Sequence, residues 1–196
     1  MKPGSAISIL ISAFSLIFPV MVAQDTSAVS MELFRKRQGD SLRAAGFLRD
    51  AENYSRTGLT DSIIPNVQRS LEISTSSDFP LIEASNYELL GSVYDRLSNW
   101  EETLINYLKA SSIYKRINLT DKEAAIFRTL GSRYYDLGIY KKSAYYFEQE
   151  FNLYPAGNEI FMARASEAAA LSYFYIPDDS SAVKWFTTAS EYYEKV

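Results

Sequence analysis

LGSVYDRLSNW (90–100) and LGSRYYDLGIY (130–140) are nearly the same eleven residues, forty positions apart. A chain that repeats itself at a fixed interval is built by stacking copies of one small unit. With the register anchored on Gly91 and Gly131, Tyr94 and Tyr134 acquire counterparts at Tyr54 and Tyr173. The small residues Gly91 and Gly131 align with Ala51 and Ala170, and a turn column reads Gly58, Ser98, Gly138 and Pro177. Ala44, Ala84, Ala124 and Ala163 precede each tyrosine by ten residues, and Val67, Tyr107, Phe147 and Phe186 follow it by thirteen. Four copies at spacings of 40, 40 and 39 residues result.

Each copy reads as two amphipathic helices joined by a turn. Tyr87, Leu90, Gly91 and Tyr94 recur at helical steps along one face, as do Phe127, Leu130, Gly131 and Tyr134. The glycine beside each stripe lets the second helix approach, and the tyrosine ring fills the gap between copies. Tyr54, Gly91, Tyr94, Gly131, Tyr134 and Tyr173 are therefore expected to be stacking residues. The expected fold is all-α, with helix pairs over 41–77, 80–117, 120–157 and 160–196. Thr120 with Glu123 reads as a capping box opening a helix at Asp121. Gly138 stops that helix, and Pro155-Ala156-Gly157-Asn158 ends its partner. Pro65 falls inside the second helix of the first copy, where it is expected to kink the helix or delay its start.

Composition narrows the chemistry. The 196 residues contain neither cysteine nor histidine, which removes thiolate nucleophiles, disulfides, Cys/His zinc sites and the usual base of serine hydrolases. Glu101-Glu102 heads a helix, where negative charge suits the dipole. No catalytic residue, cofactor or metal is expected. A net charge of −4 lacks the basic face that nucleic acid requires.

The first residues read as a leader rather than fold. Lys2 precedes an uncharged run from Ala6 to Val22, then the polar Gln24-Asp25-Thr26-Ser27. This is the pattern of a secretory signal peptide over 1–23, cut after Ala23, with 24–40 as a linker or short helix. A secreted or periplasmic location follows. The competing reading is a retained anchor, because the run is at the lower limit for a spanning helix. Membrane contact is expected only if that segment is retained or the chain continues beyond 196.

YELLGSVY (87–94) and FRTLGSRY (127–134) resemble the opening motif of the tetratricopeptide repeat family, with an aromatic residue in place of its tryptophan. Gly138, Tyr140, Phe147 and Pro155 continue the likeness through the third copy. The period is forty where the family usually has 34. The resemblance implies a right-handed superhelical solenoid with a concave groove, lined by the first helix of each pair, that holds a peptide or partner helix. Carried onto this chain, the groove positions are Glu88, Ser92, Asp95 and Arg96, then Arg128, Ser132, Tyr135 and Asp136, then Glu167, Leu171, Phe174 and Tyr175. Arg96, Arg128, Ser132, Tyr135, Phe174 and Tyr175 are the candidate partner-binding residues, with the last aromatics as an anchor. The lysine–asparagine clamp that some members use for a C-terminal carboxylate has no counterpart: its positions hold Leu48 and Glu52, Glu88 and Ser92, and Arg128 and Ser132. The implied function is a non-catalytic interaction scaffold exported from the cytoplasm; the alternative is the extracytoplasmic sensing region of a larger membrane receptor. Trp185, Phe186, Ala189, Tyr192 and Tyr193 are expected to leave an apolar end open, with a longer chain, self-association or a partner to cover it.

Overall fold

The computed structural model describes residues 5–177 and 179–196, with side chains from Val29 onward, and among these residues there are eight helices and no strand. They are α1 (Ser5–Thr57), α2 (Thr60–Ser76), α3 (Pro80–Arg96), α4 (Trp100–Arg116), α5 (Thr120–Asp136), α6 (Tyr140–Leu153), α7 (Glu159–Phe174) and α8 (Asp179–Tyr193). Each packs against the next in chain order, and α1 also touches α3.

The turns reveal a period of twenty beneath the period of forty. Helices α2 to α5 are each 17 residues long, and a three-residue turn follows each. The middle residue of each has a left-handed backbone, Asp78 at φ 53°, Ser98 at 57°, Asn118 at 57° and Gly138 at 70°, as has Gly58 at 78° in the shorter turn after α1. Two hydrogen bonds close each of the four turns after α2 to α5. After α3, Ser98 N–H donates to Asp95 C=O (3.0 Å) and Asn99 N–H to Tyr94 C=O (2.9 Å). After α5, Gly138 N–H donates to Tyr135 C=O (2.9 Å) and Ile139 N–H to Tyr134 C=O (2.9 Å). This is the Schellman ending, which satisfies the carbonyls the helix leaves open.

So short a turn makes the closing residue also the N-cap of the next helix: Leu59, Phe79, Asn99, Leu119 and Ile139. Of these, Asn99 alone can cap with its side chain, accepting from Glu102 N–H at 3.4 Å. The capping box at Thr120 and Glu123 does not form, because Leu119 holds the cap position and the helix starts one residue earlier than expected; Glu123 is buried instead. Nor does Pro65 delay α2, which starts in register at Thr60, since the turn at Gly58, closed by Leu59 N–H to Tyr54 C=O (3.0 Å), fixes the starting point five residues earlier. Of the linker or short helix expected over 24–40, the structure has helix: these residues lie within α1. Between Gln24 and Asp40 there is no proline, and the lone glycine is Gly39, so nothing stops the helix. The expected leader, 1–23, lies outside the residues whose side chains are described. Among the described residues no helix is long and apolar enough to cross a membrane.

The small residues of the repeat each face the other helix of their pair. A Cβ on Gly91 would lie 2.7 Å from the Tyr107 ring, and one on Gly131 would lie 2.9 Å from the Phe147 ring, so each ring rests on the bare backbone of the paired helix. Where the first copy has Ala51, the facing residue shrinks to Val67; both are fully buried. Tyr134 sits between Trp100 (edge-on, 5.0 Å) and Tyr146 (stacked, 5.4 Å), joining the second copy to the third. Tyr54 and Tyr94 lie half-buried against the cluster of Ala51, Ile63, Val67, Leu90 and Val93. A second cluster, Ala84, Tyr107, Ala110, Tyr114, Ile126 and Leu130, spans α3 to α5. Tyr173 is half-buried, and its hydroxyl donates to Glu148 (2.8 Å), which also accepts from Trp185 Nε1 (3.1 Å).

Candidate functional site

Tyr135 lies in the last turn of α5, Tyr140 opens α6, Phe174 ends α7 and Tyr175 is its C-cap. Because these helix ends meet on one side of the molecule, the four rings gather. Tyr175 stacks on Tyr140 at 4.9 Å and meets Tyr135 edge-on at 5.8 Å and Phe174 at 5.5 Å. Phe174 is 64% exposed and Tyr175 53%. Burial, and then the Tyr175 hydroxyl, raise the Tyr135 phenol above its ordinary range.

Beside the rings runs a cleft of about 190 Å³ between α5 and α7. Ser132, Tyr135 and Asp136 form one wall, Ala168 and Leu171 the other, and Phe147 contributes from α6. Four of the residues named from the sequence, Ser132, Tyr135, Phe174 and Tyr175, therefore fall in or beside one concavity. Tyr140, Phe147 and Ala168 join them without having been singled out as site residues. The signal for Tyr140 was present: it follows the Gly138 turn by two residues, where the next helix begins beside the end of the last.

Two arginines are committed elsewhere. Arg128 donates from Nε to Glu150 (2.7 Å) and from a terminal nitrogen to the Tyr154 hydroxyl (2.6 Å), so it turns toward α6 rather than into the cleft. It belongs to a column that ties the two helices of a pair. Tyr114 donates to Glu88 (2.6 Å) and Tyr193 to Glu167 (2.7 Å), the same register positions in the second and fourth copies. Glu88, Arg128 and Glu167 thus act as latches. Glu150 is 2% exposed; burial raises its carboxyl, and Arg128 and Tyr154 oppose that rise.

Arg96 reaches back to the Ser55 hydroxyl (2.7 Å) in the first copy. It is the partner of Ser55 in a second set of ties, in which the residue one place beyond the repeated tyrosine meets the next copy: Ser55 with Arg96, Asp95 with Arg133, Tyr135 with Tyr175. The tie is polar between the first three copies and aromatic between the last two. Among the described residues no group of acidic side chains converges to hold a metal.

No family model and no curated protein matches the chain. Its fold is similar to the crystal structure of BtubC (BKLC) from P. vanneervenii, with a TM-score of 0.64 and 16% identity. The likeness covers 80% of this chain and 65% of that one, just under two thirds of the latter's length. At that identity the two share a fold.

Proposed function

We propose that this chain is a non-catalytic interaction scaffold of tetratricopeptide type, exported from the cytoplasm. In this reading its helix pairs form a right-handed superhelical solenoid, and the cleft between α5 and α7 is the part of the concave groove that holds a peptide or partner helix. The observation that carries it is the exposed pair Phe174 and Tyr175, packed through Tyr175 on Tyr135, which lines an apolar cleft. Large exposed aromatics beside a pocket are the usual anchors of protein recognition. Ser132 and Asp136 offer polar groups at the rim, and Leu171 is a second apolar contact. Without cysteine or histidine, the cleft has groups for binding and none of the common nucleophile–base pairs.

Selection of displayed peptides against the full chain tests this. The expected outcome is a family of sequences with a buried apolar anchor whose affinity falls about tenfold or more in Phe174→Ala and Tyr175→Ala. Both side chains are exposed, so the helical circular dichroism should not change. Enriched peptides indifferent to both substitutions would exclude this cleft as the groove.

A further inference from the structure

The last turn of α5 stands between two hollows. On its α7 side is the cleft of about 190 Å³, whose lining carries one formal charge, Asp136. On its α3 side is a smaller hollow of about 130 Å³, lined by Asp95, Ser98, Trp100, Arg133 and Leu137. Helices from the middle of the stack wall both, α5 to α7 the first and α3 to α5 the second. Arg133 joins the two. One of its terminal nitrogens donates to Asp95, and the other lies 3.8 Å from Asp136, beyond hydrogen-bond distance.

The charges here do not balance. Two carboxylates share one guanidinium, and the geometry gives it to Asp95; the Asp136 side chain is left 64% exposed with a distant partner. The other bases nearby are engaged or turned away. Arg96 donates to Ser55 (2.7 Å), Arg128 to Glu150 (2.7 Å), and the Lys142 ammonium lies 5.1 Å over the Tyr134 ring. Lys141 shares a face of α6 with the exposed Tyr145. The helix ends deepen the imbalance. Asp136 closes α5 and Asp95 is the next-to-last residue of α3, so each carboxylate stands at the negative pole of its helix, where stability alone favours a cation. Each hollow also has an aromatic residue in its lining, Tyr135 in one and Trp100 in the other, and ring faces attract cations.

We infer that the peptide held in this groove is basic. It crosses the last turn of α5 with a lysine or arginine on Asp136, one apolar side chain in the cleft and another in the hollow against Trp100 and Leu137. This rests on the groove proposed above and adds what the groove selects. An acidic peptide would meet Asp136 and two negative helix ends with like charge, and the one guanidinium that could receive it is already bonded to Asp95. A wholly apolar peptide would cover the Asp136 carboxylate and leave it desolvated without a partner.

Selection of random displayed peptides on the full chain and, in parallel, on Asp136→Lys tests this. The wild type is expected to enrich lysine or arginine beside an apolar residue, and the variant aspartate or glutamate in the same place. An enriched peptide, made synthetically, should bind Asp136→Asn about fivefold more weakly than the wild type. Replacing its base by glutamine should cost as much, and the two changes together little more than either, because they remove the same ion pair. Added salt should weaken binding to the wild type much more than binding to Asp136→Asn. Leu137→Ala should lower affinity about threefold through the hollow on the α3 side. Asp136 and Leu137 are both exposed, so thermal unfolding of these variants should change little. Peptides that depend on Tyr175 yet show no excess of basic residues, or that bind Asp136→Asn as well as the wild type, would overturn the basic reading and leave the groove in place. Enrichment of acidic peptides on the wild type would overturn it too, and indifference to Leu137→Ala would overturn the crossing of α5. Failure to enrich any peptide would overturn both the groove and its charge preference.

Discussion

Gly91 and Gly131 show how one missing carbon sets a helix spacing. At each, the Cβ of an alanine would sit inside the contact distance of a facing ring, and at Gly91 the nearest atoms include the ring carbon bonded to the Tyr107 side-chain stem, which cannot swing away. Gly91→Ala should therefore cost about 1–3 kcal/mol through overpacking, after alanine's helix preference of about 1 kcal/mol is set against it. Urea unfolding measures this. Adding Tyr107→Val reproduces the Ala51–Val67 pair of the first copy, so the double variant should lose less than the sum of the two single changes. Additive losses would mean that the ring and the glycine do not determine each other. Tyr107 shows the same enclosure in its ionisation, because burial, with Asp95 and Glu88 nearby, pushes its phenol up to about 12. Glu123 carries the clearest pH signature. Burial raises its carboxyl above 4.5, with Lys115 opposing. The folded chain therefore keeps a proton that the unfolded chain has released in the window between 4.5 and the raised value. Its contribution to stability is full below 4.5 and is lost as the pH rises through the folded-state value. Glu123→Gln removes that dependence, so the variant should gain on the wild type between about pH 4 and pH 7 in the same unfolding measurement. An unchanged difference across that range would show the carboxyl to be as well solvated folded as unfolded.

At the scale of the element, the turns were half legible. The column of Gly58, Ser98 and Gly138 was visible because it repeats at forty, the spacing at which side-chain chemistry also repeats. The intervening turns at Asp78 and Asn118 were not, because first and second helices bury different residues and no aromatic column spans both. What the five turn residues share is a tolerance of left-handed backbone, strong in glycine, fair in asparagine and aspartate, weak in serine. Ser98, at φ 57°, is accordingly the strained member. Ser98→Gly should raise stability by about 0.5–1 kcal/mol, the relief of the left-handed penalty less glycine's extra unfolded-state entropy. Gly138→Ala should lower it by about 1–2 kcal/mol. Calorimetric melting of both variants checks the pair, and shifts in the same direction would rule out backbone strain as the cause. The capping box misled for a related reason. Thr120 and Glu123 have the right spacing, yet the hydrogen bond from Leu119 N–H to Tyr114 C=O (2.9 Å) had already fixed where α5 begins. At the site, Tyr135, Phe174 and Tyr175 were named from the groove positions the resemblance implies, while Tyr140, which stacks on Tyr175, was not. The commitment of Arg128 was not legible, since it depends on Glu150 and Tyr154, residues 22 and 26 positions away on the paired helix.

In the whole molecule, stability is distributed unevenly along the stack. An array whose parts touch only their neighbours gains its stability from each pair and each contact between pairs, so a weak end opens without the rest. The middle is well supplied: Leu90, Val93, Tyr107, Tyr114, Ile126, Leu130, Tyr134 and Phe147 are all buried. In α7 and α8 every buried apolar side chain is an alanine, and each methylene withheld from burial forgoes about 0.8 kcal/mol. The last pair is held instead by half-buried rings, Trp185 and Tyr192 against Phe151, and by Glu148, which accepts hydrogen bonds from Tyr173 and Trp185. Native-state hydrogen exchange should therefore find α8 amides opening well below the global unfolding free energy, while α4 and α5 amides open only with the whole chain. Phe151→Ala, which removes the ring shared by Trp185 and Tyr192, should lower protection in α8 far more than in α3. If α8 proved as protected as α5, the stack would unfold as one body and the alanine-rich pair would draw its stability from contacts beyond its neighbours. If α8 opens first, it is the least stable of the described helices, and the well-supplied middle of the stack folds without it.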